Sequence, residues 1–302
     1  MTQNRRGLML AALALSLIAT PVLAQERPRD RPRGRLRERL GARRDPQDGA
    51  SDADKTTVST GADPLQAYDL YRPTTPGGPI LAFVHGGGWS RGDKRMVHAL
   101  PDYAVRHGLT LASIGYRLVP DVTPREQAQD IVAAVADLRR THPGQPIFLM
   151  GHSAGAHLAA LVGVDGQYLG VHDIRPADLG GVILLDGAGY DATQPRPPGP
   201  VGRILGDMYE TAFADQAAAL SPTLLVRSGQ TYAPYLIFHI GRRQDARDQS
   251  QELARALIAA GGRAEVIAAP DDSHRDINVQ LGQPGDPEGE RVARFITGLG
   301  YA

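Results

Sequence analysis

The chain of 302 residues contains no cysteine. That removes disulfides, thiolate metal sites, a cysteine nucleophile and a lipidated cysteine anchor. Aromatic residues make up only 5% of the chain, with a single tryptophan, so no extended carbohydrate-stacking platform is expected. No His–Glu–His ligand cluster occurs, which argues against a metal hydrolase, and no cofactor is expected. An excess of charge of one sign is also lacking, since 33 Lys and Arg balance 33 Asp and Glu. The balance hides an asymmetry. Residues 25–52 hold nine arginines and six acidic residues, whereas residues 53–302 hold 22 Lys and Arg against 27 Asp and Glu. A mildly acidic body gives no footprint for nucleic acid.

Long apolar runs are missing too. The stretch GLMLAALALSLIA (7–19) is short for a bilayer span. With Arg5 and Arg6 before it and Val22, Leu23 and Ala24 after it, residues 1–24 read as a cleaved export signal rather than an anchor. A periplasmic or secreted protein is expected, and the paired arginines leave the twin-arginine route open beside the general one. Residues 25–55 are rich in Arg, Pro and Asp and poor in apolar side chains. Such a segment cannot repay the entropy of ordering and is read as a solvated linker. A weak electrostatic association of this arm with an anionic envelope surface is the alternative role.

Residues 56–302 carry the expected catalytic domain. Short apolar runs bounded by Pro or Gly read as buried strands: ILAFV (80–84), LTLASI (109–114), IFLM (147–150), GVILL (181–185), YLIFHI (235–240) and AEVIAA (264–269). Helical patterns lie between them, as in 125–140, 154–164 and 246–260. The alternation predicts an α/β fold with a mostly parallel sheet covered by helices on both faces. AYDLYRP (67–73) reads as an antiparallel strand at the edge.

Gly-His-Ser-Ala-Gly (151–155) stands between the strand IFLM and a helical pattern. A G-x-S-x-G sequence there makes a sharp turn that projects a serine hydroxyl, with glycines where side chains would collide. Ser153 is the expected nucleophile. HGGGW (85–89) follows an earlier strand, and its glycines let backbone N–H groups approach a substrate. Gly87 and Gly88, with the N–H of Ala154, are the expected oxyanion donors. His152 and His157 flank the serine but are poorly aimed to serve as base, and His85 is read as a support for the glycine loop. His274, in the polar loop after the last strand, can reach across the top of the sheet and is the expected base. Asp245, just past the penultimate strand, is the expected acid. Asp248 is second, as a helix-capping position, and Asp186 and Asp191 come third.

These motifs resemble the α/β-hydrolase superfamily over roughly residues 60–300. The chain is most similar to bacterial carboxylesterases of the hormone-sensitive-lipase type and to feruloyl-esterase-like hydrolases. The resemblance rests on AYDLYRP (67–73), HGGGWSRGDK (85–94), YRL (116–118), GHSAGAHLAAL (151–161), Asp245 and His274. It implies a serine carboxylesterase acting on a small-molecule ester through an acyl-enzyme. The elbow departs from the usual G-D-S-A-G-G at His152 and Ala156, and GHSAGAHL is similar to kynurenine formamidases instead. Those enzymes carry an aromatic residue where this chain has Gly88, and export fits a cytoplasmic amino-acid pathway badly, so an ester is the favoured substrate. A catalytically silent hydrolase fold used for binding is the third reading. The long segment 187–222, after the sixth strand, is expected to form a small cap, with Tyr190, Met208, Tyr209 and Phe213 joining Trp89 as pocket walls.

Overall fold

The computed structural model describes residues 55–196 and 198–298, with the Val201 side chain not described. The export signal (1–24) and the linker (25–55) lie outside the described residues, except for Lys55, which already opens the first strand. Eight strands form one sheet: β1 Lys55–Ser59, β2 Ala67–Tyr71, β3 Ile80–Val84, β4 Thr110–Ile114, β5 Ile147–His152, β6 Gly181–Leu185, β7 Tyr235–Ile240 and β8 Ala264–Ala269. Their order is β1-β2-β4-β3-β5-β6-β7-β8. β3 to β8 run parallel, and β1 and β2 are antiparallel to their neighbours. The strand AYDLY is antiparallel as expected but does not form the edge. The short polar strand KTTVS pairs outside it and covers its free side.

The helices are α1 Leu100–Arg106, α2 Pro124–Thr141, α3 Ala154–Val164, α4 Gly166–Gly170, α5 Pro200–Phe213, α6 Pro222–Leu225, α7 Gln244–Ala259, α8 Asp276–Val279 and α9 Pro287–Gly298. β3 shows why the apolar runs are unbroken. Ile80, Ala82 and Val84 enter one core with side chains of α2, α3 and α7, while Leu81 and Phe83 enter a second core with side chains of α1 and α9. Alternate residues thus face opposite sides and all are buried, the pattern of a sheet covered twice. Each such fully buried aliphatic or aromatic side chain contributes roughly 1.5–3 kcal/mol.

Two local devices fix α2 and the loop beside it. Pro124 starts α2 behind a capping box, in which Glu126 accepts from the Thr123 backbone N–H at 2.8 Å. Inside α2, Gln127 is fully buried and its Nε2 donates to the carbonyls of Trp89 (2.6 Å) and Arg117 (2.8 Å), tying the loop after β3 to the helix. The expected cap after β6 is present as α5, two short 3₁₀ turns and α6.

Candidate active site

The C-terminal ends of β3, β5, β6 and β7 are neighbours in the sheet, and the turns that follow them meet at one place. After β5 the chain turns straight into α3 through Ser153, which has φ 55° and ψ −120°. Such a left-handed serine is strained and persists only where the surroundings over-determine it. Here the Ser153 N–H donates to Leu185 O at 3.0 Å, pinning the turn to the end of β6. Glycine is required on both sides. A Cβ at Gly151 would lie 2.2 Å from Gly155 O, and one at Gly155 would lie 2.2 Å from Val84 O.

His274 follows β8 and reaches the serine. Its Nε2 is 3.0 Å from Ser153 Oγ, and its Nδ1 is 2.6 Å from Asp186 Oδ2. The carboxylate can only accept, so Nδ1 carries the proton and Nε2 offers its lone pair to the serine hydroxyl.

Asp186, not Asp245, orients the histidine in this structure. Asp186 follows β6, and the strand order brings it to the histidine. β6 lies between β5 and β7, with Leu185 opposite both His152 and Phe238. The next residue along β6 therefore lies beside the serine turn. Asp186 is fully buried at φ 42°, and its Oδ1 accepts the Ile240 N–H at 3.0 Å. Arg243 Nη1 donates to its Oδ2 at 3.0 Å. Burial pushes this carboxyl up, but the His274 hydrogen bond, the Arg243 charge and the Ile240 N–H together outweigh it and hold it below the usual carboxylate range. Asp245 is turned to Arg243 Nη2 at 2.9 Å. Asp248 pairs with Arg247, its neighbour on α7, and Asp191 accepts from Thr193 in a local turn. The sequence signal for Asp186 was an acidic residue ending the apolar run GVILLDG.

Arg243 was not anticipated. Its guanidinium bridges Asp186 and Asp245, and both carboxylates favour its charge against the cost of burial. Its Nη1 also comes within 3.2 Å of His274 Nδ1. Both atoms are donors when Nδ1 is protonated, so this contact reflects two donors sharing one carboxylate oxygen rather than a bond between them.

Three neighbouring histidines make structural contacts. His152 donates from Nε2 to His274 O at 2.8 Å and so holds the backbone of the base. Burial, and the neighbouring His274 charge, push it down to about 3, so it stays neutral. His157 is fully buried, accepting from Trp89 Nε1 at 3.2 Å and donating to Leu220 O at 2.7 Å. Burial lowers it to about 4. His85 stacks on Tyr116 with ring centroids 4.2 Å apart under the glycine loop, and burial lowers it also to about 4.

Gly87 and Gly88 have φ of 126° and 59°, and both line the cavity with Ala154. Among the described residues, none accepts the N–H of Gly87, Gly88 or Ala154. A Cβ on Gly87 would lie 2.0 Å from Arg91 O, so the loop is closed too tightly for a side chain. The cavity measures about 920 Å³. Trp89, Met208 and Tyr209 line it as expected, and Leu205 joins them. Tyr190 and Phe213 do not. Tyr190 is fully buried, and Phe213 backs Trp89 edge-on at 4.8 Å between ring centroids. The helix α5 turns Phe213 inward behind the wall, one turn beyond Tyr209 on its buried stripe, while Tyr190 is buried in the segment between β6 and α5. Arg196 lies 3.6 Å over the Tyr209 ring and holds it by a cation–π contact.

A family profile described as alpha/beta hydrolase fold matches residues 81–277. Among curated proteins, the chain is 30% identical over 233 residues to the carboxylic ester hydrolase LipN of Mycobacterium tuberculosis, covering 70% of this chain and 61% of that protein. It is 26% identical over 223 residues to the kynurenine formamidase of Danio rerio, covering 72% and 73%. It spans only 26% to 52% of the length of rice and Arabidopsis proteins named as probable isoprenylcysteine alpha-carbonyl methylesterases. Among solved structures, esterase B from Lactobacillus rhamnosis superposes with a TM-score of 0.67 at 23% identity, covering 83% of this chain and 88% of that one. The last likeness speaks to the fold. With the serine turn, the glycine loop and the eight-stranded sheet in place, the chain belongs to the α/β-hydrolase fold family.

Proposed function

We propose that this protein is a serine hydrolase of carboxylic esters, with Ser153 as nucleophile, His274 as base and Asp186 as the acid that orients it. The observation that carries the reading is the continuous array Ser153 Oγ, His274 Nε2, His274 Nδ1, Asp186 Oδ2, at 3.0 and 2.6 Å. Ser153 attacks the ester carbonyl while His274 Nε2 takes its proton. The imidazolium that forms is stabilised by the buried Asp186 carboxylate. Charge developing on the carbonyl oxygen meets the N–H groups of Gly87, Gly88 and Ala154, each such donor lowering the barrier by roughly 3–4 kcal/mol. His274 then returns the proton to the departing alkoxide, leaving an acyl-enzyme. Water attacks it by the same route in reverse, and Ser153 is restored.

A second reading keeps the machinery and changes the bond to an aryl-formamide. The likeness to kynurenine formamidase over 73% of that protein's length supports it. Export to the periplasm or outside, and a weak electrostatic association of residues 25–52 with an anionic envelope surface, complete the proposal. The association should fade at high salt and vanish when 25–52 are deleted. The test of the chemistry is hydrolysis of p-nitrophenyl acetate, butyrate and octanoate, beside N-formylkynurenine, by the parent and Ser153→Ala. Ester turnover in the parent alone is expected. Turnover of the formamide alone would move the reading to an amidase, and equal activity in Ser153→Ala would refute both.

A further inference from the structure

The cavity beside Ser153 is charged in a way the rest of the body is not. Residues 53–302 carry more acidic than basic side chains. Yet the cavity is lined by Arg91, Arg242, Arg243 and Arg275 against a single carboxylate, Asp245. That carboxylate is already engaged by Arg243. Among the described residues, Arg91, Arg242 and Arg275 have no carboxylate within ion-pair distance.

Two further groups among the cavity-lining residues lack partners among the described residues. His98 Nδ1 and Asn278 Oδ1 are buried with no hydrogen bond. His98 has φ 47°, a strained conformation for a non-glycine residue, and Asn278 is only 7% exposed. Of the nine buried side-chain atoms without a partner among the described residues, these two belong to residues that line the cavity, where a ligand can supply the missing hydrogen bond. The His98 ring can donate from Nδ1, and the Asn278 amide can turn its NH₂ to donate as well. Arg275 is close enough for its charge to act on His98. Elsewhere the lining is apolar, through Trp89, Leu205, Met208 and Tyr209. The cavity thus has an oily part and a cationic part, and the reacting serine is common to both.

We propose that the substrate is an ester bearing a free carboxylate, held by Arg275, His98 and Asn278 and drawn in by Arg91 and Arg242. The proposal rests on the ester-hydrolase reading and narrows it to a substrate class. Guanidinium groups bind carboxylates through paired charge-assisted hydrogen bonds, and unpaired cations at a cavity mouth raise the encounter rate of anions. The carboxylate has two possible origins, the acyl group of a dicarboxylic monoester or the alcohol group of a hydroxy acid.

Matched substrates separate them: p-nitrophenyl hydrogen glutarate against p-nitrophenyl pentanoate for the acyl side, and 4-acetoxybenzoate against phenyl acetate for the alcohol side. The charged member of one pair should have a kcat/KM at least about tenfold above its neutral partner at low salt. That ratio should fall about fivefold or more in Arg91→Gln/Arg242→Gln/Arg275→Gln and shrink in high salt. The ratio is read on one preparation, so a partly unfolded variant does not distort it. Neutral esters preferred in both pairs, or a ratio indifferent to the triple substitution, would overturn the proposal and leave the esterase reading standing. If no ester is turned over, calorimetry with glutarate and 4-hydroxybenzoate decides. Binding of either by the parent and not by the triple variant supports the anion site while the esterase reading falls, and binding of neither overturns it.

Discussion

Replacing Asp186 by Asn keeps the size and shape of the side chain while removing its charge. The Ile240 N–H at 3.0 Å fixes which way the amide lies, because only its oxygen can accept there. The NH₂ group then faces Arg243 Nη1 and His274 Nδ1, where the carboxylate oxygen stood at 3.0 and 2.6 Å. Nδ1 must give up its proton to accept from the amide, so the proton moves to Nε2, and Nε2 then points a hydrogen at Ser153 Oγ instead of a lone pair. The base is present but in the wrong tautomer. A triad carboxylate converted to its amide costs about 10⁴-fold in kcat, equivalent to about 5.4 kcal/mol of barrier. Asp245→Asn makes the same chemical change on a carboxylate that, among the described residues, is bonded only to Arg243 Nη2. It should cost less than about tenfold, since it removes one charge-assisted bond remote from the histidine. The assay is p-nitrophenyl butyrate hydrolysis under saturating substrate, with thermal unfolding by circular dichroism to show that both variants are folded. Near-parental kcat in folded Asp186→Asn, or a thousandfold loss in Asp245→Asn, would refute the assignment.

Arg243→Met leaves Asp186 without its cationic partner and Asp245 unpaired. It should lower kcat by roughly tenfold to a hundredfold, read in the same assay, by loosening the carboxylate that orients His274. Gly155→Ala places a methyl group 2.2 Å from Val84 O, a backbone atom that cannot step aside. Expect a loss of about 3 kcal/mol of stability or more in urea unfolding. Glu288 is pushed up to about 7 by burial and by the neighbouring carboxyls of Asp286 and Asp272. A raised acid stabilises the fold in its protonated form, so that stability is full below about pH 4.5 and is lost as pH rises through 7. Glu288→Gln should therefore stabilise the protein by about 1 kcal/mol at pH 8, after screening by solvent, and by almost nothing at pH 4. Equal effects at both values would contradict the sign.

The parts of the site that could be read from the sequence are those whose chemistry requires local backbone freedom. The glycines around Ser153 and in HGGGW mark turns that a Cβ would block, and the structure gives the blocking atoms. His274 was legible because it follows the last strand in a polar loop, where chain order alone leaves few rivals. The acid was not, because choosing among Asp186, Asp245 and Asp248 depends on the order of strands in the sheet. Asp186 lies next to the serine turn only because β6 sits between β5 and β7. Arg243 separates the two carboxylates further. Its guanidinium bonds Asp245, in the first turn of α7, and the His274 contact goes to Asp186. The strand KTTVS escaped notice for a different reason. Edge strands need no apolar alternation, and in this one only Val58 is apolar and no residue is fully buried. Residue type alone does not separate cavity walls from core: Phe213, at the end of α5, packs edge-on behind Trp89, and Tyr190, between β6 and α5, is fully buried.

The most direct test of the central claim is to capture the covalent intermediate. Protein lacking residues 1–24 is mixed with p-nitrophenyl acetate, quenched in acid within the first turnovers, digested and examined by mass spectrometry. The account predicts one added acetyl group on the peptide containing Ser153, absent in Ser153→Ala and slow to appear in Asp186→Asn. An acetyl group on another residue at the parental rate of p-nitrophenol release, or rapid turnover with an unmodified Ser153 peptide at every quench time and undiminished in Ser153→Ala, would contradict it.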